Sequence, residues 1–156
     1  MELDQYDKQI IEILSHEDMN LNELSERIHL SVSSVHRRIK NLMDRQIIGK
    51  IKREINYQKL GFSLHAILQV SLSRHDSETF ERFLAAVEDI PEVTNAFLIT
   101  GQSADFLLEV VARDMDNYSD VLLKRLGKID NVAALHSSFV IKKYDVLNAT
   151  GLLQRI

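Results

Sequence analysis

Apolar positions recur at helical spacing through the first 45 residues, and the pattern then changes to one that mixes strands and helices. Leu3, Tyr6, Ile10, Ile13 and Leu14 mark one helical face, with Asp4 placed to cap it. Asn20 and Glu23 have the spacing of a capping box, so a second, short helix starts there with Leu24 and Ile28 on one side. The chain then turns through His29 and Leu30. Ser31 can cap a third helix, whose Val35, Ile39 and Leu42 form a buried stripe. From residue 64 onward, HAILQVSLS (65–73) alternates, with Ala66, Leu68, Val70 and Leu72 on one face. Residues 77–88 place Phe80, Phe83, Leu84 and Val87 on a helical stripe. EVTNAFLIT (92–100) and DFLLEVVA (105–112) read as strands. Residues 115–129 form a helix capped by Asp114, carrying Met115, Tyr118, Val121, Leu122, Leu126 and Ile129. AALHSSFVIKK (133–143) closes as a strand. The resulting β-α-β-β-α-β order is that of a ferredoxin-like split βαβ unit.

The helix, sharp turn and helix over Leu21–Leu42 have the layout of a helix-turn-helix, whose second helix enters the major groove. Packing of Val35, Ile39 and Leu42 leaves Ser33, Ser34, Arg37, Arg38 and Lys40 free. The following segment, 46–62, has Gly49 between short β-branched runs and predicts a small hairpin or wing carrying Lys50, Lys52 and Arg53. The alternative is an ordinary helical hairpin with a solvated basic face.

Two strands are apolar on both sides. Phe97 and Ile99 oppose Ala96 and Leu98, and Leu107 and Val111 oppose Phe106, Leu108 and Val110. Such strands need cover on both faces, and the chain has no spare element to supply it. A second copy of the sheet, and so a homodimer, is the expected cover.

Charge sharpens the assignment. Residues 1–26 hold eight acidic residues and one Lys, whereas residues 27–53 hold eight basic residues and one Asp, within a chain of net charge −4. A local basic block can neutralise phosphates even on an acidic protein. The 156 residues leave room for one large domain or two small ones. There are no cysteines, so disulfides, thiolate metal sites and cysteine nucleophiles are excluded. No apolar run approaches the ~20 residues of a membrane span, and the acidic start lacks the core of a signal peptide. A cytoplasmic protein with no membrane partner is expected.

LSERIHLSVSSVHRRIKNL, then IIGKIKREINYQKLGF, then a βαββαβ unit containing TGQSADFLLEVVARDM and SSFVIKKYD, together resemble the Lrp/AsnC family of bacterial and archaeal transcription regulators, also called feast/famine regulators. The resemblance runs from about Leu3 to Lys143. It implies an α+β chain, with a winged helix-turn-helix DNA-binding domain over residues 1–60 and a ferredoxin-like regulatory domain over 61–156. It also implies amino-acid-responsive control of transcription, through double-stranded DNA. The DNA-reading helix would hold Ser33, Ser34, His36, Arg37, Arg38 and Lys40, with Lys50 and Lys52 on the wing. The regulatory domain would dimerise through its sheets and assemble further to tetramers or octamers. A small effector, usually an amino acid, would sit between dimers, where the resemblance places Leu98, Gly101, Gln102, Ser103, Asp105, Phe106, Leu107, Met115, Phe139, Val140 and Ile141. Two positions depart from the family pattern. His29 stands where the family usually has Gly, which predicts a turn with positive φ and some strain. Three residues, Gln102, Ser103 and Ala104, separate Gly101 from Asp105 where the family commonly has two.

The proposed chemistry also stands on general grounds. A fixed carboxylate such as Asp105 can receive an α-ammonium, Gly-flanked N–H groups can receive a carboxylate, and an apolar slot can take the side chain. Asp105 can equally cap the backbone of the turn before its strand. Ligand binding to a contact between dimers would favour one assembly state and so set the spacing of the recognition helices. His16, His29, His36, His65, His75 and His136 lack metal-binding spacing, and GQSAD lacks the lysine of a phosphate loop. No metal, cofactor or catalytic residue is expected. Two rival readings remain: a ligand-binding or interaction protein with no specific DNA target, and a small enzyme on the same scaffold.

Overall fold

A computed structural model describes residues 3–49, 54–101, 103–144 and 149–155, and these form two compact units. One holds the described residues before Glu54 together with those from Tyr144 onward; the other is Glu54–Lys143. The C-terminal helix α6 (Ala149–Leu153), expected within 61–156, packs on the first helix of the chain and belongs to the first unit.

In the first unit, α1 (Gln5–His16), α2 (Leu21–Ile28) and α3 (Val32–Asp44) start where their caps predict. Asp4 and Asp7 form one capping box and Asn20 and Glu23 another, while the Ser31 hydroxyl accepts from the Ser34 amide. Each box satisfies backbone donors that the first helical turn leaves unpaired. Ile10, Leu24, Ile28, Val35 and Leu42 are buried together and make the core. Tyr6, which shares the α1 periodicity, lies outside it, exposed beside Arg38.

The turn between α2 and α3 closes as expected. His29 adopts φ 56°, ψ 40°, and the Leu30 amide reaches back to the Ser25 carbonyl at 3.1 Å. This is a Schellman closure made without glycine. Gln46 does the same after α3, at φ 57°, with the Ile47 amide on the Leu42 carbonyl. The second arm of the hairpin or wing expected after α3 lies outside the described residues. Among the described residues of 46–62 there is no strand; a single 3₁₀ turn, Tyr57–Leu60, stands between the Asn56 cap and Gly61 at φ 90°. In that turn the Asn56 side chain accepts the Lys59 amide, and Gly61 supplies the left-handed exit. Lys50, Lys52 and Arg53 lie outside the described residues.

In the second unit, β1 (Leu64–Leu72), α4 (Ser77–Glu88), β2 (Val93–Leu98), β3 (Phe106–Ala112), α5 (Met115–Asp120) and β4 (Val132–Phe139) follow in the predicted order. The sheet order β2-β3-β1-β4, antiparallel throughout, is that of the ferredoxin-like fold. Leu68 opposite Leu108, with Ala66, Val70, Phe106 and Val110, makes the buried face. Phe83 of α4 meets Phe106 at 4.8 Å between ring centroids. The predicted helix 115–129 is interrupted: α5 passes into a π turn over Val121–Arg125 and a 3₁₀ turn over Leu126–Lys128. That shift keeps Val121 and Leu126 both buried, while Met115, expected on the same stripe, is exposed at the first helical position. β4 ends at Phe139, short of the expected 143. The Val140 amide makes one further bond to the His65 carbonyl, and β1 begins just beyond, at Leu64.

His29→Gly is expected to stabilise the first unit by about 1 kcal/mol, since a left-handed conformation costs a non-glycine residue roughly that much or more. A denaturant titration that gives an unchanged or lower midpoint would show the His29 turn to be unstrained.

Candidate nucleic-acid interface and effector site

Burial of Val35 and Leu42 fixes which sides of α3 face outward. Ser33, His36, Arg37 and Lys40 are exposed, and their i, i+3, i+4, i+7 spacing puts them on one stripe. Neither Arg37 nor Lys40 has an ion-pair partner among the described residues. Ser34 and Arg38 stand on a neighbouring stripe and are only partly exposed. The Ser34 hydroxyl accepts from that of Ser31 at 2.9 Å.

Arg38 is not free, contrary to expectation. Its Nη1 donates to Asp4 at 2.6 Å and to Asp7 at 2.7 Å, its guanidinium lies 5.3 Å from the Tyr6 ring centroid, and its side chain is 25% exposed. The aspartates that cap α1 thus also hold a side chain of α3. No sequence pattern announces this, because the partners are more than thirty residues apart. Asp4 titrates below its ordinary value, chiefly because the Asp7 amide donates to it; slight burial opposes this, and Arg38 adds to the lowering. The guanidinium of Arg38 is correspondingly raised by Asp4 and then Asp7.

In the second unit the loop between β2 and β3 carries Gly101 and Asp105. Gly101 has φ 93° with open space around it, so its requirement for glycine is conformational. Gln102 lies outside the described residues. The Ser71 hydroxyl donates to the Ser103 carbonyl at 2.7 Å and Ala104 is buried, so the longer loop is pinned to β1. Asp105, 13% exposed in its side chain, accepts the Leu72 amide at 2.7 Å through Oδ2. His75 Nε2 stands 3.1 Å from Oδ1. No spacing or pattern along the chain points to His75 at this position, thirty residues before its partner. Asp105 therefore caps backbone, as one of its two readings had it, and keeps one oxygen toward an exposed side chain.

The expected effector residues fall into two groups. Leu98 (60% exposed), Gly101, Ser103 and Asp105 gather at the free end of the β2–β3 hairpin. Phe139 (47% exposed), Val140 and Ile141 follow β4, with Phe139 at 5.3 Å from the Tyr118 ring. Leu98 pairs with Phe106 on one sheet edge, and Phe139 pairs with Ala66 on the other. Those positions are separated by three strand spacings, about 14 Å, and by four residues, about 13 Å, along the strands. No free amino acid bridges that distance, so one chain does not unite the site. Met115 (54% exposed) opens α5 after β3, one turn before Tyr118, whose ring meets Phe139. An open cleft of about 640 Å³ does exist, lined by Tyr57, Phe62, Val111, Arg113, Asp116 and Asn117 among others. It contains none of the expected residues and sits at the far end of β3 from Asp105.

Comparison with known proteins agrees with both halves of the chain. Residues 65–147 match the family model described as the Lrp/AsnC ligand binding domain, and residues 3–48 match one described as winged helix-turn-helix DNA-binding. The transcriptional regulator AzlB of Bacillus subtilis is 33% identical over 89% of this chain and 88% of its own length. The proline dehydrogenase transcriptional activator of Rhizobium radiobacter is 34% identical over 90% of this chain and 89% of its own. A transcriptional regulator of Neisseria meningitidis, solved as a complex with L-Met, superposes with TM-score 0.85 at 32% identity, over 97% of this chain and 99% of that one. The fold and site thus define a DNA-binding transcription regulator with a separate ligand-binding domain. The chain belongs to the Lrp/AsnC family. That membership sets aside the enzyme and the scaffold protein without a DNA-binding role. No helix among the described residues is long and apolar enough to cross a membrane.

Two outcomes follow from the polar contacts. Asp105→Ala is expected to cost about 1–3 kcal/mol in denaturant unfolding, because it leaves the Leu72 amide without its acceptor; Asp105→Asn, which keeps an oxygen there, should cost less. Because the Asp4 carboxyl is lowered on folding, its contribution is complete above the ordinary value of 3.8 and disappears as pH falls through the folded value. The stability difference between wild type and Asp4→Asn should therefore be constant near neutrality and shrink below about pH 4; a difference that grows on acidification would reverse the sign of this linkage.

Proposed function

We propose that Ser33, His36, Arg37 and Lys40 form the stripe that enters the major groove, and that the second unit senses an α-amino acid at a site completed by another copy of the chain. The observation that carries the DNA surface is that Arg37 and Lys40, without ion-pair partners among the described residues, share one exposed stripe of a helix buried along its back. Lys50 and Lys52 of the wing segment add backbone contacts in this reading. The effector reading rests on the distance between the Leu98–Asp105 and Phe139–Ile141 groups, each with exposed apolar residues that need a partner. The Neisseria meningitidis relative, solved with L-Met bound, supports an amino acid as the ligand class. Asp105 Oδ1 receives the ammonium once His75 swings aside, and the left-handed Gly101 loop receives the carboxylate.

Homodimerisation is part of the same reading. The sheet face away from α4 and α5 carries Ile67, Phe97, Leu107 and Val111 among polar neighbours. A second sheet covers such a face with closed two-fold symmetry. Further assembly to tetramers or octamers then brings the two effector groups together. Regulation is linkage: a ligand that binds one assembly state better shifts the spacing of the recognition helices. The place of action is the cytoplasm, with the chromosome.

Binding to the protein's own upstream region, measured over a salt series with and without a panel of amino acids, tests this function. Arg37→Ala with Lys40→Ala should lower the salt slope by about 1.8, at ~0.9 per phosphate contact. An unchanged slope would remove this stripe from the DNA interface. A panel in which no amino acid alters either affinity or oligomeric state would remove the effector.

A further inference from the structure

We propose that Arg38 is a positioning residue of the recognition helix, held by the Asp4–Asp7 capping box of α1, and not a DNA contact. The inference rests on the assignment of the Ser33, His36, Arg37 and Lys40 stripe to DNA.

Four observations converge on it. Nη1 of Arg38 already donates to two carboxylates, at 2.6 and 2.7 Å, so both of its N–H groups are engaged and a phosphate at that nitrogen would have to displace an aspartate. Its Cζ also lies over the Tyr6 ring, 5.3 Å from the centroid. Its side chain is the less exposed of the adjacent arginine pair, because it points toward α1 and away from the outward stripe. The carboxylates are themselves fixed: Asp4 accepts the Asp7 amide at 2.9 Å, and Asp7 accepts the Asp4 amide at 3.4 Å. A rigid acceptor pair at the start of α1 thus grips α3 about midway along its length. Core contacts among Ile10, Val35 and Leu42 are non-directional and allow α3 to roll slightly about its axis. A charge-assisted, two-acceptor contact has a defined geometry and resists that roll. Roll of α3 moves Arg37 and Lys40 relative to the phosphates.

The two roles for Arg38 predict opposite signs. If it were a phosphate contact restrained by aspartates, removing their charge would free it and tighten binding. If it positions α3, removing their charge loosens the helix and weakens binding, although the protein becomes more positive. The test uses the full chain and a mixed-sequence DNA duplex over a salt series. Asp4→Asn/Asp7→Asn is the central variant, because Asn still caps a helix. Expected is a several-fold loss of affinity at every salt concentration with an unchanged salt slope, matched by Arg38→Gln. Arg37→Ala should instead reduce the slope by about 0.9. Tighter binding by the double Asn variant, or a slope reduced by Arg38→Gln as by Arg37→Ala, would overturn the proposal. An unchanged slope for Arg37→Ala would overturn the stripe on which it rests.

Discussion

Burial of Val35 and Leu42 against Ile10, Leu24 and Ile28 sets the rotation of α3, and the DNA-binding half of the molecule depends on it. With 3.6 residues per turn, fixing those two side chains inward fixes the outward direction of every other residue in the helix. Ser33, His36, Arg37 and Lys40 then share a stripe, and Ser34 and Arg38 fall beside it. Adjacent residues of one short sequence, Arg37 and Arg38, differ by about 100° around the axis. One reaches solvent and the other reaches α1. The two are chemically identical, and packing alone separates their surroundings.

The regulatory half obeys a different constraint. A four-stranded sheet with both helices on one side completes one core only. Its edges and its other face lie outside that core. The effector residues expected from the family resemblance are distributed accordingly, at opposite sheet edges and opposite ends of the strands. In the proposed reading a single chain carries two half-sites. The open cleft it does possess is bordered by Asp114, Asp116 and Asp120, of which Asp114 caps α5 and Asp120 pairs with Lys124, and it lies away from both half-sites. A site made from two chains, as proposed, would couple ligand binding to assembly.

The β2–β3 loop shows how an insertion is absorbed. One residue more than the common family spacing separates Gly101 from Asp105, yet Asp105 still opens β3, with its amide on the Val70 carbonyl and its carboxylate on the Leu72 amide. Ser103 and Ala104 take up the extra length against β1. Asp105 is held by backbone first, and its availability to a ligand is the availability of a single oxygen opposite His75.

Much of this architecture was legible in the sequence, for local reasons. Capping residues bond to amides two or three positions away, so Asp4, Asn20, Ser31 and Asp114 announce their helices directly. Alternation in β1 and helical spacing in α3 and α4 likewise reveal which faces are buried. The positive φ at His29 followed from the turn that the motif requires. What stayed hidden depends on partners distant in sequence. The Arg38 clasp, His75 opposite Asp105, the π turn that rephases α5, and the return of α6 to α1 are all decided by which segments meet in space. The sequence by itself determined the elements, their order and the basic helix, because those arise from short-range periodicity and capping. Only the tertiary structure decided which of the charged side chains remain available, because that depends on contacts between elements whose separation along the chain carries no local signal.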